Sequence, residues 1–207
     1  MPSSDSKSPS IQPRDRRADI LQAAVELFSE RGYQGATTDE IAERAGVTKR
    51  TLYNHMGSKN HILYEIHRAF IARGLRRWED VAAAGHGPAE TVRTLIREHL
   101  AIVIEYHLAI RVFFEESKHL DPEERAVISR QRDEYEAIFR DALKTAVDAG
   151  EIRPLDPEVS TRTILSMLTG VYRWYRPTVG LPANELTALI ETYLMDGIAE
   201  PDVLAIT

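Results

Sequence analysis

The sequence predicts an all-α fold of about nine helices. Apolar residues recur three or four positions apart along nearly the whole chain, which is the spacing of one helix face. Capping residues stand where these runs begin, and glycine or proline stands where they stop. The apolar run 108–114 would suit a strand locally, but no partner strand is found elsewhere in the sequence.

The first helix is expected after residues 1–13. This segment is rich in Ser and Pro and has too few apolar residues to form a core, so we interpret it as a disordered tail. The helix ends at Gly32. Its apolar face consists of Ile20, Leu21, Ala24, Leu27 and Phe28.

Two short helices come next. Thr37 and Glu40 have the spacing of a capping box, which predicts the start of a second helix. That helix ends at Gly46, a residue suited to the position after a helix. Thr48 predicts the start of a third helix, which extends to about His55.

A long fourth helix is predicted from a cap at Ser58 to about Ala84. The break at 85–88 separates it from a fifth helix. We expect the run 108–114 to be helical as well, with an interruption near His107.

Two Asp-Pro-Glu sequences predict the next helix starts, since proline suits the first turn and acidic residues suit the positive helix end. The first, at 121–123, opens a helix that reaches about Ala149 and stops at Gly150. The second, at 156–158, opens a helix over about 157–176. A last amphipathic helix is predicted over about 183–199.

Composition excludes several classes of protein. The 207 residues include no cysteine, which removes disulfides, thiolate catalysis and Cys-ligated zinc and agrees with a reducing compartment. The net charge of −6 argues against a uniformly basic surface. No apolar run approaches the roughly 18 residues of a membrane span, and the N-terminus has no apolar signal segment. We therefore expect a cytoplasmic protein that does not enter membranes.

Catalytic and metal-binding patterns are not found. The sequence has no Gly-x-Ser-x-Gly elbow, no phosphate-binding glycine loop and no His-Glu-x-x-His. His99 and His107 could share a helix face, but without a carboxylate partner they make a weak metal site. Surface or pocket-lining histidines are the better interpretation. We expect no enzyme activity, no metal and no cofactor.

The stretch 37–59 carries the clearest functional signal. Its two short helices are joined by the sequence Ala-Gly-Val at 45–47, which matches a helix-turn-helix. The segment 48–55 has one leucine among hydrogen-bonding side chains, and 44–59 contains four basic residues and no acidic one. The first 60 residues sum to a charge of +1 and the remainder to −7. This pattern predicts DNA binding by a small module attached to an acidic body.

Three other interpretations remain open at this point. The third helix could be a solvated, charged helix without a partner. The chain could be an all-helical enzyme or small-molecule carrier with a vestigial head, which would bind DNA without salt dependence or not at all. A helical protein of the membrane surface is disfavoured by the acidic body.

The N-terminal residues resemble the TetR family of bacterial transcriptional regulators over 14 to about 65. Two departures are Met56, where the family usually has Phe, and Asn54, where an aromatic residue is commoner. The resemblance is carried by Leu21-x-Ala-Ala-x-x-Leu-Phe28, Arg31-Gly-Tyr33, Thr37-Thr38, Ile41-Ala42, Ala45-Gly46-Val47 and Thr51-Leu52-Tyr53-Asn54-His55-Met56-x-Ser58-Lys59.

The resemblance implies three segments and a DNA-binding site. The segments are a tail at 1–13, a helix-turn-helix domain at 14–58 and a helical ligand-binding and dimerisation domain at 59–207. The third helix is expected in the major groove, with Lys49, Arg50, Thr51 and Asn54 at base edges. Phosphate contacts are expected from Thr38, Tyr53, His55 and Lys59. Arg14, Arg16 and Arg17 are expected to reach the DNA backbone or minor groove, or else to form a solvated tail.

Family members dimerise through their last two helices, so the resemblance also implies a homodimer on a palindromic operator. The expected interface residues are Leu186, Leu189, Ile190, Tyr193 and Leu194. The alternative is that these residues close the core of a single subunit.

The body is similar to regulators of fatty-acid and steroid catabolism whose inducers are acyl-CoA thioesters. That similarity is carried by Val112–Glu116, Arg132–Tyr135 and Tyr172–Pro177. It implies a repressor whose inducer, an acyl-CoA, occupies an apolar cavity among helices four, five, seven and eight and shifts the dimer away from the operator spacing. The expected cavity residues are Phe70, Ile102, Tyr106, Phe113, Tyr135, Phe139, Tyr172 and Trp174, with Arg173 and Arg176 as anchors for phosphate or carboxylate groups.

Overall fold

The computed structural model describes residues 15–176 and 179–198. The predicted tail at 1–13 and Arg14 lie outside these ranges. Within them the chain forms nine α-helices: α1 (Arg16–Gly35), α2 (Thr38–Arg44), α3 (Lys49–Met56), α4 (Lys59–Ala83), α5 (Pro88–Glu105), α6 (His107–Glu116), α7 (Pro122–Asp148), α8 (Pro157–Gly170) and α9 (Ala183–Ile198). The all-α prediction is confirmed.

The helix starts follow the caps that the sequence predicts. The Glu40 amide donates to Thr37 Oγ1 at 3.2 Å, and the Thr37 amide donates to Glu40 Oε2 at 2.9 Å, which completes the capping box at α2. The Ser58 hydroxyl oxygen accepts from the His61 amide at 3.0 Å and caps α4. These bonds satisfy amides that have no partner within their own helix.

Two helix ends differ from the prediction, and the predicted interruption between α5 and α6 is found close to its expected place. The first helix continues past Gly32 to Gly35 across a kink, since Gly32 has φ +72°. The interruption predicted near His107 falls at Tyr106, between α5 and α6. The eighth helix ends at Gly170 rather than near 176, because the chain tightens into a 3₁₀ turn at Val171–Arg173.

Two apolar cores organise the described residues. The head core contains residues of α1, α2 and α3, of the first half of α4, and of parts of α6 and α7. The body core joins the second half of α4 with α5, α7, α8 and α9. Phe70 of α4 packs against both cores. Helix α4 therefore connects the head to the body.

None of the helices in the ranges 15–176 and 179–198 has the length and apolar character needed to span a membrane.

Candidate nucleic-acid interface and ligand cavity

Helix α3 attaches to the head by one narrow apolar edge. Leu52 and Met56, four residues apart, are 0% and 1% exposed and belong to the head core. The rest of the helix faces outward. Its exposed side chains are Lys49, Arg50, Tyr53, Asn54 and His55.

The turn before α3 depends on a glycine. Gly46 has φ +65°, a conformation that side chains with a Cβ rarely adopt. The Val47 amide then donates to Ala42 O at 3.0 Å, which closes the end of α2. This geometry holds α2 and α3 as a helix-turn-helix pair.

Two predicted DNA contacts on α3 are already tied to α2. The Lys49 ammonium lies 2.7 Å from Asp39 Oδ1, and this hydrogen bond raises the pKa of Lys49, so the group stays charged. The Tyr53 hydroxyl lies 3.2 Å from Thr38 Oγ1, which places two predicted phosphate contacts side by side. Thr51 is half-buried, and its amide donates to Thr48 Oγ1 at 3.1 Å.

Lys59 turns inward rather than outward. Its ammonium donates to Tyr33 O and to Ala36 O, both at 2.9 Å, and lies 4.4 Å from the centre of the Tyr33 ring. An ammonium has three N–H groups, so one is left for a phosphate, and the predicted contact stays a prediction. In the structure Lys59 donates hydrogen bonds to main-chain carbonyls at the end of α1.

Arg17 is also engaged within the protein. Its guanidinium pairs with Glu65 of α4, a carboxylate whose side chain is 6% exposed, and Arg68 pairs with the same carboxylate at 2.8 Å. Burial raises the pKa of Glu65, but the bonds from Arg68 and Arg17 outweigh it and lower the pKa overall. Arg17 thus fastens α1 to α4, whereas Arg16 is exposed.

A cavity of about 690 Å³ opens in the body. It lies among the four helices that the sequence predicts, and α6 adds a fifth wall. Six of the ten predicted ligand residues line it: Phe70, Ile102, Phe113, Tyr135, Tyr172 and Arg173.

The other four predicted ligand residues lie outside the cavity lining, which corrects the sequence interpretation. Phe139 is 0% exposed in the body core, and Trp174 is 60% exposed on the surface. Tyr106 directs its hydroxyl to Arg73 and Glu105. The Arg176 guanidinium donates to Tyr175 O at 2.9 Å. Each is of a residue type that suits a cavity, but the packing of Phe139 in α7 and the course of the chain around Tyr106, Trp174 and Arg176 direct these side chains elsewhere.

Several charged residues at the cavity were not predicted as ligand contacts, although Arg132 and Asp133 lie in the segment Arg132–Tyr135 that carries the similarity. Arg132 and Arg162 line the cavity beside Arg173, together with two acids, Asp133 and Glu136. Arg132 pairs with Glu136 at 3.2 Å. The cavity therefore combines apolar walls with an exposed, mainly guanidinium-bearing edge.

A polar group stands within the apolar walls. His99 is 7% exposed and lines the cavity with Tyr135 and Thr169. This agrees with the interpretation of His99 as a pocket-lining histidine. Burial lowers the pKa of His99 to about 4, so its imidazole is neutral near pH 7. Among the residues that the structure covers, no group of three or more His, Asp or Glu could hold a metal ion.

The predicted dimer residues divide between two faces of α9. Leu186 and Leu194 are 5% and 7% exposed and belong to the body core, and Ile190 packs against that core. These three side chains therefore help to close the core of the subunit, as in the alternative interpretation, and their place in a dimer interface stays a prediction. Leu189 and Tyr193 point outward and are 43% and 75% exposed.

Outward-facing apolar side chains also occur on α8 and in the segment before α9, where the sequence pattern did not predict an interface. They are Val159, Met167, Trp174, Val179 and Leu181. Together with Leu189 and Tyr193 they are the exposed large apolar side chains of the described C-terminal part, and we refer to this set as the C-terminal apolar face. Where such groups lie next to one another they commonly mark a protein interface.

Family comparisons cover most of the chain. Residues 20–66 match the family described as "Bacterial regulatory proteins, tetR family". Residues 85–198 match the "Tetracyclin repressor-like, C-terminal domain" family.

Individual relatives match this chain over most of its length. The HTH-type transcriptional repressor KstR2 of Rhodococcus jostii is 28% identical over 188 residues, which are 90% of this chain and 92% of the relative. The structure of ketosteroid transcriptional regulator KstR2 of Mycobacterium tuberculosis superposes with a TM-score of 0.83 at 26% identity, covering 91% of this chain and 97% of that one. The structure of AibR in complex with isovaleryl coenzyme A and operator DNA has a TM-score of 0.78 at 26% identity, covering 86% and 97%.

Proposed function

Because the chain belongs to the TetR family of bacterial regulatory proteins, we propose that it is a ligand-responsive transcriptional repressor that binds operator DNA as a homodimer. Residues 14–58 form the DNA-binding domain and residues 59–207 the ligand-binding and dimerisation domain. Its work is regulatory rather than enzymatic, and it takes place in the cytoplasm, where bacterial DNA lies.

The geometry of α3 carries the proposal. The helix buries only Leu52 and Met56 along one edge and presents hydrogen-bonding side chains on all other sides. A major groove accepts a helix of this kind, and Arg50 and Asn54 suit guanine and adenine edges. Tyr53 and Thr38, 3.2 Å apart, suit a shared phosphate.

DNA binding is tested by selecting genomic fragments with the purified protein and measuring the affinity of the recovered site at several salt concentrations. We expect a palindromic site and a steep loss of affinity with salt, since phosphate contacts release counterions. Arg50→Ala should weaken binding by about fivefold or more, in line with about 1–3 kcal/mol for a bidentate base contact.

Lys144→Ala is the matched control for charge. Lys144 is exposed on α7 and pairs with Asp148 one turn away, so its removal should leave operator affinity within about twofold. Absence of a selected site, or equal effects of the two substitutions, would contradict the proposal.

The cavity supports an acyl-CoA as the inducer. Its apolar walls suit a hydrocarbon chain, and Arg132, Arg162 and Arg173 suit phosphate groups. The AibR structure holds isovaleryl coenzyme A together with operator DNA. The test is operator affinity with and without a series of acyl-CoA thioesters, and an unchanged dissociation constant throughout would reject this inducer class.

Two copies associate through the C-terminal apolar face in this proposal. The ligand then acts by favouring a dimer whose two α3 helices no longer match the operator spacing.

A further inference from the structure

The cavity lining contains a chain of three hydrogen-bonding groups from three helices. The Tyr135 hydroxyl of α7 lies 2.9 Å from Nδ1 of His99 on α5. Nε2 of the same imidazole lies 3.0 Å from Oγ1 of Thr169 on α8. All three residues line the cavity.

Counting hydrogens shows that this chain has one donor to spare. A neutral imidazole carries one N–H, and each hydroxyl carries one O–H, which makes three hydrogens for two contacts. Both imidazole tautomers use two of these hydrogens and leave one hydroxyl hydrogen over. Within the described residues the His99 imidazole is the one hydrogen-bond partner of Thr169 Oγ1.

The relative acidity of the Tyr135 and Thr169 hydroxyl groups determines which of them keeps the spare hydrogen. A phenol is a much stronger hydrogen-bond donor than an aliphatic alcohol, so Tyr135 donates to Nδ1 of His99. The imidazole then donates through Nε2 to Thr169, whose own hydrogen remains. The ring of Tyr135 is fixed for this task because it stacks on Trp78 at a centroid distance of 3.7 Å.

The surroundings of Thr169 leave room for a ligand. Gly170 beside it and Ser166 one turn before it also line the cavity. A Cβ added at Gly170 would meet no atom within 4 Å. A plain hydrocarbon packed at this place would shield the Thr169 O–H from water without offering an acceptor, which is unfavourable.

We propose that the Tyr135–His99–Thr169 chain makes Thr169 the recognition group for a carbonyl or hydroxyl oxygen on the hydrocarbon part of the ligand. The ligand class is thus an oxygenated acyl chain or ring rather than a plain saturated one. This inference rests on the proposed ligand-binding function and adds to it a requirement at a defined side chain.

Calorimetry with two kinds of probe tests the proposal. The reference is dodecanoyl-CoA, and the test series consists of oxododecanoyl-CoA isomers in which a single carbonyl moves along the chain. We expect at least one isomer to bind the full-length protein about fivefold more tightly than the reference, the effect of one net hydrogen bond.

Variants then test whether the preference for an oxygenated acyl chain depends on Thr169. Thr169→Val should reduce the ratio of the two affinities to about 1, and Thr169→Ala is the second variant if valine prevents folding. Thr169→Ser keeps a hydroxyl and should keep the preference. Ser166→Ala removes a hydroxyl from the same helix and cavity and should leave the ratio unchanged.

The outcomes separate this inference from the proposed function. If plain and oxygenated probes bind equally well, or if the preference survives both Thr169→Val and Thr169→Ala or is lost in Ser166→Ala, the inference is wrong while a ligand-binding cavity stands. If no probe of either kind binds, the acyl-CoA proposal and the inference both fail.

Discussion

His67 and Phe113 join α4 to α6 directly. Nε2 of His67 lies 3.2 Å from the main-chain oxygen of Phe113, and the two rings stack with centroids 4.8 Å apart. Phe113 also lines the ligand cavity, and His67, 0% exposed, sits on the helix that connects both cores. A ligand that displaces Phe113 is therefore expected to shift α4 through the contacts between Phe113 and His67.

Replacing His67 by leucine should uncouple the two sites. We expect acyl-CoA affinity to stay within about twofold while the ratio of operator affinities without and with ligand falls about fivefold, a typical coupling energy of about 1 kcal/mol. The measurement is operator binding by fluorescence anisotropy at saturating ligand. His86→Leu, at an exposed histidine in the loop before α5, is the control and should leave the ratio unchanged.

Stability should fall in acid because of His99. Its pKa in the folded protein is about 4, below the ordinary 6.5. Between these pH values the unfolded chain binds a proton that the folded chain does not, so the stabilisation is complete above about pH 6.5 and is lost as the pH falls toward 4. Burial lowers the pKa of His67 in the same direction.

Urea unfolding of the wild type and of His99→Gln at fixed protein concentration measures this effect. From pH 7 to pH 4 the wild type should lose about 3 kcal/mol more of its free energy of unfolding than the variant, the equivalent of the pKa difference. Parallel losses in the two proteins would show that His99 titrates normally.

Gly74→Ala should distort the cavity wall. A Cβ at Gly74 would lie 2.9 Å from Cε2 of Tyr135, and that ring is held against Trp78. We expect a loss of about 1–3 kcal/mol of stability from overpacking and weaker ligand binding, measured by thermal unfolding and calorimetry. Gly170→Ala, which meets no atom within 4 Å, should leave the unfolding temperature without ligand nearly unchanged.

Tyr193→Glu should separate the subunits. Tyr193 is 75% exposed on the C-terminal apolar face, where a carboxylate would be buried without a partner in a dimer. Sedimentation velocity should show the wild type as a dimer and the variant mainly as a monomer. Ala82→Glu, at an exposed position of α4, should remain dimeric, and a dimeric Tyr193→Glu protein would place the interface elsewhere.

Local signals predicted the helices well. Thr37 with Glu40 and Ser58 with the His61 amide are contacts within one turn, so they depend on neighbours in the sequence. The edge of α3 was equally predictable, because Leu52 is its one leucine and must face the head. Lys59 and Arg17 were not, since their partners, Tyr33 O and Glu65, lie 26 and 48 residues away.

The sequence by itself determined that the chain is helical, that α3 faces outward and that an acidic body follows a more basic head. Each of these properties depends on the spacing and charge of residues that are close together in the chain. Only the tertiary structure decided that Leu186 faces the core while Tyr193 faces outward, and that Thr169 rather than Phe139 lines the cavity. The physical reason is that an amphipathic pattern gives the width of an apolar stripe, whereas the rotation of each helix about its axis is set by the shapes packed against it.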